Sequence, residues 1–268
     1  MIAVYGGAFD PVTNAHLNFS AEIIHSKLAD EVWITPCGHK PDDPSLKTSI
    51  THRLIMAHLA VDTTFGSKFG VRVCDEEFDQ PRNVPTLLLM RRLKQKYPEC
   101  DFAFVIGTDQ LEAMKGWDAP ACPGWWDGIE DAAATLRKEC NFIVIDRPGV
   151  DACELPPNFQ RIAPALKARG STLSATFLSS REVRHRMRDD FSRYGPYLIA
   201  GPSSNRSWYD EAEGLVPASV LGHIVRYGLY SRVRARPSRH IPPAKRPLSR
   251  TAVGARRTIH LPTGNRLP

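Results

Sequence analysis

The chain has 268 residues, 42% hydrophobic and 24% charged, which suits a soluble globular protein with one large domain or two small ones. No run of 18 or more apolar residues occurs, so no membrane-spanning helix is expected, and the N-terminus lacks a secretion signal. The net charge of +6 belongs to the last stretch: Arg232 to Pro268 carries ten basic residues and no acid, leaving 25 basic against 29 acidic residues before it.

Met1 leads directly into a strand-like run, Ile2–Tyr5, and short apolar runs then alternate with longer helical patterns as far as Arg147. Further strands are expected at Glu31–Thr35, Gly70–Cys74, Phe102–Ile106 and Phe142–Ile145. Helical spacing joins Leu17, Ala21, Ile24 and Leu28, then Leu54, Ala57 and Val61, then Leu89 and Leu93 within Thr86–Tyr97. Alternating βα units predict a Rossmann-like, doubly wound α/β fold on a parallel sheet. Ala119–Gly128, rich in Pro, Gly and Trp, reads as a long functional loop. A short strand is expected near Thr172–Ala175, a helix from Ser179 and another over Pro217–Tyr227. This small C-terminal helical part completes one domain over 1–232. From Val233 onward periodicity disappears, and 233–268 reads as a disordered basic tail. Cys37, Cys74, Cys100, Cys122, Cys140 and Cys153 form no C-x-x-C pair, and without a secretion signal they are expected to be reduced thiols in an intracellular protein.

The densest chemical signal lies between the first strand and the first helix, in Gly6-Gly7-Ala8-Phe9-Asp10-Pro11-Val12-Thr13-Asn14-Ala15-His16. Ligands of open α/β sheets bind beyond the carboxyl ends of the strands, where this turn falls. Gly6 and Gly7 let backbone N–H groups approach phosphate oxygens, and the helix near Asn14 directs its free N–H groups to the same place. His16, in that first turn, can donate to a phosphate oxygen. A Gly-Gly turn with a satisfied histidine is the structural alternative. The turn is neither a dinucleotide fingerprint nor a Walker A loop, because G-x-G-x-x-G and Gly-Lys-Ser/Thr are both absent.

Three further segments fall at element ends. Cys37-Gly38-His39-Lys40-Pro41 follows the second strand. Ile106-Gly107-Thr108-Asp109 ends a central strand, with Asp109 either a ribose acceptor or a helix cap. Ser179-Ser180-Arg181-Glu182-Val183-Arg184 opens a late helix with capping-box spacing, and its N-terminus, Ser180 and Arg184 could also receive an anion.

At these residues the sequence resembles the nucleotidylyltransferases that share the H-x-G-H motif with class I aminoacyl-tRNA synthetases. Thr13 stands where bacterial members have the first histidine, so Thr-Asn-x-His is similar to the eukaryotic branch of the nicotinamide/nicotinic acid mononucleotide adenylyltransferases. The late helix resembles the family's I-S-S-T-x-I-R, with Arg181 departing from its Thr. The matches run in the family's order from Gly6 to Tyr230.

The resemblance implies condensation of ATP with nicotinamide or nicotinic acid mononucleotide to give NAD, or its deamido form, and pyrophosphate. It assigns Gly6, Gly7, Ala8, Phe9, His16, Lys40, Gly107, Asp109, Ser180 and Arg184 to ATP. Among these, His16 and Arg184 would stabilise charge on the reacting phosphates and Lys40 would steady the pyrophosphate. Thr86 would contact the pyridine substituent, and Trp126 would stack on the pyridine ring or else pack over the sheet with Trp117 and Trp125. Arg53 reads as structural. Mg²⁺ is expected with ATP, held mainly by substrate and water, since no H-E-x-x-H or Cys/His cluster points to a protein-held metal.

Another adenylyl- or cytidylyltransferase of the same fold is the nearest alternative. A nucleotide-sensing or nucleic-acid-binding protein, working through its tail, is the alternative of a different class. Ten cations without an acid suit polyanions, recognition by import factors (Ala244-Lys245-Arg246-Pro247 would be the address), or simple solvation. Nuclear or cytoplasmic residence is expected, and a homo-oligomer is compatible with the sequence.

Overall fold

The computed structural model describes residues 1–40, 43, 46–114, 131–146, 155–162, 179–188 and 212–230, all within one unit, Met1–Arg232. Trp117, Trp125 and Trp126 in or beside the expected loop, the strand expected near Thr172–Ala175 and the basic tail lie outside the described residues.

Six strands build one sheet: β1 Ile2–Gly7, β2 Glu31–Pro36, β3 Val71–Val73, β4 Phe102–Gly107, β5 Asn141–Ile145 and β6 Phe159–Arg161. Their order is β3-β2-β1-β4-β5-β6, and every neighbouring pair is parallel. The winding reverses between β1 and β4, which is where such a sheet opens a crevice for ligand.

Among the described residues seven helices accompany the strands: α1 Asn14–His25, α2 Ile50–Thr64, α3 Thr86–Lys96, α4 Thr108–Ala113, α5 Ala132–Glu139, α6 Ser180–Arg188 and α7 Ala218–Tyr227. Strand β1 shows why two helical layers are needed. Ala3 and Tyr5 belong to one buried cluster, with Leu17 and Ile23 of α1, Met56 and Ala60 of α2, Val183 and Met187 of α6, and Val220 and Ile224 of α7. Ile2 and Val4 point the other way, into a cluster with Leu87 and Leu93 of α3 and Leu136 of α5. Each large aliphatic chain so buried contributes about 1.5–3 kcal/mol, so the sheet is stable only when covered on both faces.

The doubly wound parallel fold is therefore as expected, with two differences. On α1 the fully buried residues include Leu17, Ser20 and Ile23, while Ala21 and Ile24 are only half-buried. Ser20 can be buried because its hydroxyl donates to the His16 carbonyl at 2.9 Å, a bond that hydropathy does not register. Strand β6 was not anticipated, being three residues long; it is anchored by Phe159 stacked on Phe142 with ring centroids 4.3 Å apart. Helix α7 begins after Pro217 and ends on Gly228 in the left-handed region (φ 62°), as the punctuation predicts.

Candidate active site

The carboxyl ends of β1, β4 and β5 enclose a cavity of about 140 Å³ at the reversal of the sheet, several waters' worth of space. Gly6, Gly7, Ala8, Phe9, His16, Gly107 and Ser180, all singled out from sequence, line it together with Tyr5, Val105, Gln110 and Ile145. Packing favours Gly6: a Cβ there would lie 2.8 Å from the Phe104 ring, which would have to move.

His16 is oriented from three sides. Thr13, the N-cap of α1, donates its backbone N–H to His16 Nδ1 at 2.9 Å, and Thr13 Oγ1 lies 2.8 Å from the same nitrogen. His16 thus fills the place that Glu or Gln has in a capping box. With Nδ1 accepting, the neutral ring carries its proton on Nε2 and is a donor there. Edge-to-face contacts with Tyr5 (5.9 Å) and Phe9 (5.1 Å) fix the ring plane. Phe9 is held at φ 45°, a left-handed conformation that a bulky residue adopts only when its surroundings over-determine it.

The loop between β1 and α1 is tied down carbonyl by carbonyl. Buried Arg53 of α2 donates from Nη1 to the Ala8 carbonyl at 2.8 Å. Arg184 of α6 donates from Nη1 to the Asp10 carbonyl, with the Asp10 carboxylate 3.8 Å away. Ser180 Oγ donates to the Pro11 carbonyl at 2.7 Å. Asn14 donates its backbone N–H to the Leu215 carbonyl and its side-chain amide to that of Gly214. The Tyr230 hydroxyl donates to Asp10 Oδ1. Arg184 is buried behind the loop and is not among the cavity-lining residues.

At the head of α6, Ser179 Oγ accepts from the Glu182 backbone N–H at 3.2 Å, as the capping spacing predicts. The Glu182 carboxylate, however, binds Arg186 at 2.8 Å. Arg181 is exposed.

A second loop, after β2, is bound to the first. Arg53 Nη2 donates to the Gly38 carbonyl at 3.3 Å, so one guanidinium bridges Ala8 and Gly38. The Glu77 carboxylate, 3% exposed, accepts from the backbone N–H groups of Gly38 (2.9 Å) and Val84 (2.7 Å) through one oxygen. Burial pushes this carboxyl above its ordinary range, opposed by those two N–H donors. Gly38 is itself obligatory, because a Cβ would meet the Arg82 backbone at 2.9 Å. Lys40 follows on this loop, half-buried, and Thr86 opens α3 just beyond Val84; neither lines the cavity. Asp109 stands exposed in the first turn of α4, next to Gly107 and Gln110. Trp126 lies outside the described residues. The cysteines at Cys37 and Cys140 are buried; Cys37 Sγ accepts from Arg53 Nη1 at 3.8 Å, and burial pushes the Cys140 thiol up to about 11.

Sequence reasoning missed Asp10, Glu77 and Tyr230. Asp10 sat inside the motif between a left-handed Phe9 and Pro11. Nothing local marks Glu77 or Tyr230, whose partners are 39 and 220 residues away.

A parallel sheet of this order, with a glycine-lined cavity at its reversal and an oriented imidazole, defines a nucleotide-handling α/β protein. Residues 4–186 match the cytidylyltransferase-like family, and the chain belongs to it. Its homologues are nicotinate-nucleotide adenylyltransferases. It is 27% identical over 227 residues to a probable nicotinate-nucleotide adenylyltransferase of Tropheryma whipplei (strain Twist), covering 84% of this chain and 97% of the relative. It is 32% identical over 149 residues to one of Bacillus mycoides (strain KBAB4), covering 55% and 70%. The same fold is found in Plasmodium falciparum nicotinic acid mononucleotide adenylyltransferase complexed with NaAD, with a TM-score of 0.63, 22% identity and coverage of 85% and 96%. The two curated relatives are bacterial and lend no support to the eukaryotic branch suggested by Thr13.

Proposed function

We propose that this chain transfers the adenylyl group of ATP to the phosphate of nicotinic acid mononucleotide, forming the deamido dinucleotide and pyrophosphate. The observation that carries this reading is the single cavity at the ends of β1 and β4 that gathers Gly6, Gly7, Ala8, His16, Gly107 and Ser180. The names of its relatives favour the acid over the amide.

A phosphate oxygen of the mononucleotide attacks the α-phosphorus of ATP. The bond from that phosphorus to the bridging oxygen breaks, and pyrophosphate leaves with the electron pair. The nucleophile is already an anion, so the protein supplies position and charge stabilisation rather than a base. His16 Nε2 donates to an α-phosphate oxygen, and the backbone of Gly6 to Phe9 cradles the phosphates. Arg184 acts from behind the loop as a fixed positive charge. Lys40 meets the pyrophosphate, Asp109 the ribose, and Thr86 and Trp126 the pyridine.

Among the described residues no three His, Cys, Asp or Glu side chains are grouped to hold a metal. Magnesium would be carried on the phosphates of ATP, where it would neutralise charge on the leaving group. The basic tail is assigned to polyanion contact or nuclear address rather than to the reaction.

Incubation with ATP and nicotinic acid mononucleotide should give the deamido dinucleotide and pyrophosphate in equal amounts by chromatography. ADP in place of pyrophosphate would mean phosphoryl rather than adenylyl transfer and would reject the proposal.

A further inference from the structure

The Asp10 carboxylate raises an electrostatic problem beside a site for polyphosphates. It is buried to 1% exposure in the loop that lines the cavity, and a negative charge there opposes an incoming anion. Arg184 lies 3.8 Å from Oδ2, too long for a hydrogen bond, and among the described residues Oδ2 has no hydrogen-bond partner. The Tyr230 hydroxyl is the donor to Oδ1.

Tyr230 is placed for that contact at some conformational cost. It sits three residues after the end of α7 at φ 70°, in the left-handed region, with its side chain buried at 9% exposure. Nearby, the Thr48 carbonyl accepts from Arg53 Nε at 3.2 Å. Arg53 in turn holds the Ala8 carbonyl. Tyr230 and Arg53 therefore hold the same loop, at Asp10 and at Ala8. Burial and the neighbouring carboxylate push the Tyr230 phenol well above its ordinary range, so it stays protonated and remains a donor.

We infer that Tyr230 is a positioning residue for adenylyl transfer, acting through Asp10. By holding the carboxylate turned into the protein, it keeps Arg184 on the Asp10 carbonyl and the loop from Phe9 to Thr13 in the shape that aims His16. The kinetic part of this inference rests on the function proposed above; the structural part does not.

The test uses the full chain with Tyr230→Phe, which keeps the ring and removes only the hydroxyl, with Asp10→Asn, and with both. Tyr230→Phe should lower kcat about tenfold at saturating substrates, with KM for each nucleotide changed by no more than about twofold. Backbone hydrogen exchange should quicken in a peptide spanning residues 6–17 and stay unchanged in β4. The double variant should be no slower than Asp10→Asn alone, because the hydroxyl acts through that carboxylate. Unchanged exchange in the loop, or a full extra loss in the double variant, would overturn the inference. Should Tyr230→Phe fail to fold, Asp10→Asn carries the same exchange test. If the unmodified chain forms no dinucleotide, the proposed function fails while the exchange result still decides the role of Tyr230.

Discussion

The backbone N–H of Thr13 points at Nδ1 of His16 at 2.9 Å, so the residue that opens the first helix also selects the tautomer of the imidazole one turn later. One contact thus caps a helix and leaves Nε2 as a proton-bearing donor. His16→Ala should lower kcat about a hundredfold or more with the fold intact by circular dichroism. Thr13→Val keeps the backbone donor and should lose less than about tenfold. Near-normal turnover in His16→Ala would remove His16 from the chemistry.

Arg53 joins the two loops of the site, through the carbonyls of Ala8 and Gly38. A lysine cannot span both with one ammonium. Arg53→Lys should therefore reduce stability by about 3 kcal/mol in urea titrations, as when a buried charged group loses its partners. Retention of full stability would show that the bridge is dispensable.

Glu77 holds Gly38 and Val84 through a single carboxylate oxygen, in surroundings that disfavour its charge. A neutral oxygen can accept the same two bonds. Glu77→Gln should accordingly stay close to the parent in stability, whereas Glu77→Ala, leaving two buried N–H groups unpaired, should cost about 2–4 kcal/mol. Equal loss in both would mean that the charge itself is needed.

His223 of α7 meets His52 of α2, with Nε2 and Nδ1 3.0 Å apart, and Tyr227 packs against both rings. Burial first, then His52 and Arg226, lowers the His223 pKa below its ordinary 6.5. Above 6.5 neither folded nor unfolded chain carries the proton, and the group makes no pH-dependent contribution. Below it the unfolded chain takes up a proton that the folded chain resists, so stability falls with falling pH. His223→Gln should flatten the decline of Tm on acidification below 6.5. An unchanged slope would assign the decline to other groups.

Much of this was legible from sequence because it is local. Gly6, Gly7, His16, Gly107 and Ser180 sit at strand or helix ends, where residue type and chain position together point to a shared site, and the structure gathers them around one cavity. Arg184 was legible as a cation at a helix head, but not as one directed at the Asp10 carbonyl, since the approach of α6 to the loop is set by burial of Val183 and Met187. The burial of Ser20 leaves no mark in the apolar pattern, because its partner is a backbone carbonyl. Glu77 and Tyr230 were invisible for a related reason: long-range partners leave no trace in spacing.

The basic tail follows Tyr230 by only a few residues, yet no step of the proposed reaction uses it. Removal of Val233–Pro268 should leave adenylyl transfer within about twofold of the full chain, assayed side by side. Loss of activity with the fold intact would make the tail part of the working site.

The reaction proposed for the cavity at the ends of β1 and β4 is adenylyl transfer to a pyridine mononucleotide. Pyrophosphate release from ATP, measured in parallel with nicotinic acid mononucleotide and nicotinamide mononucleotide, tests it most directly. Release should occur with the acid form, less with the amide, and about a hundredfold more slowly in His16→Ala. No release with either mononucleotide would contradict it.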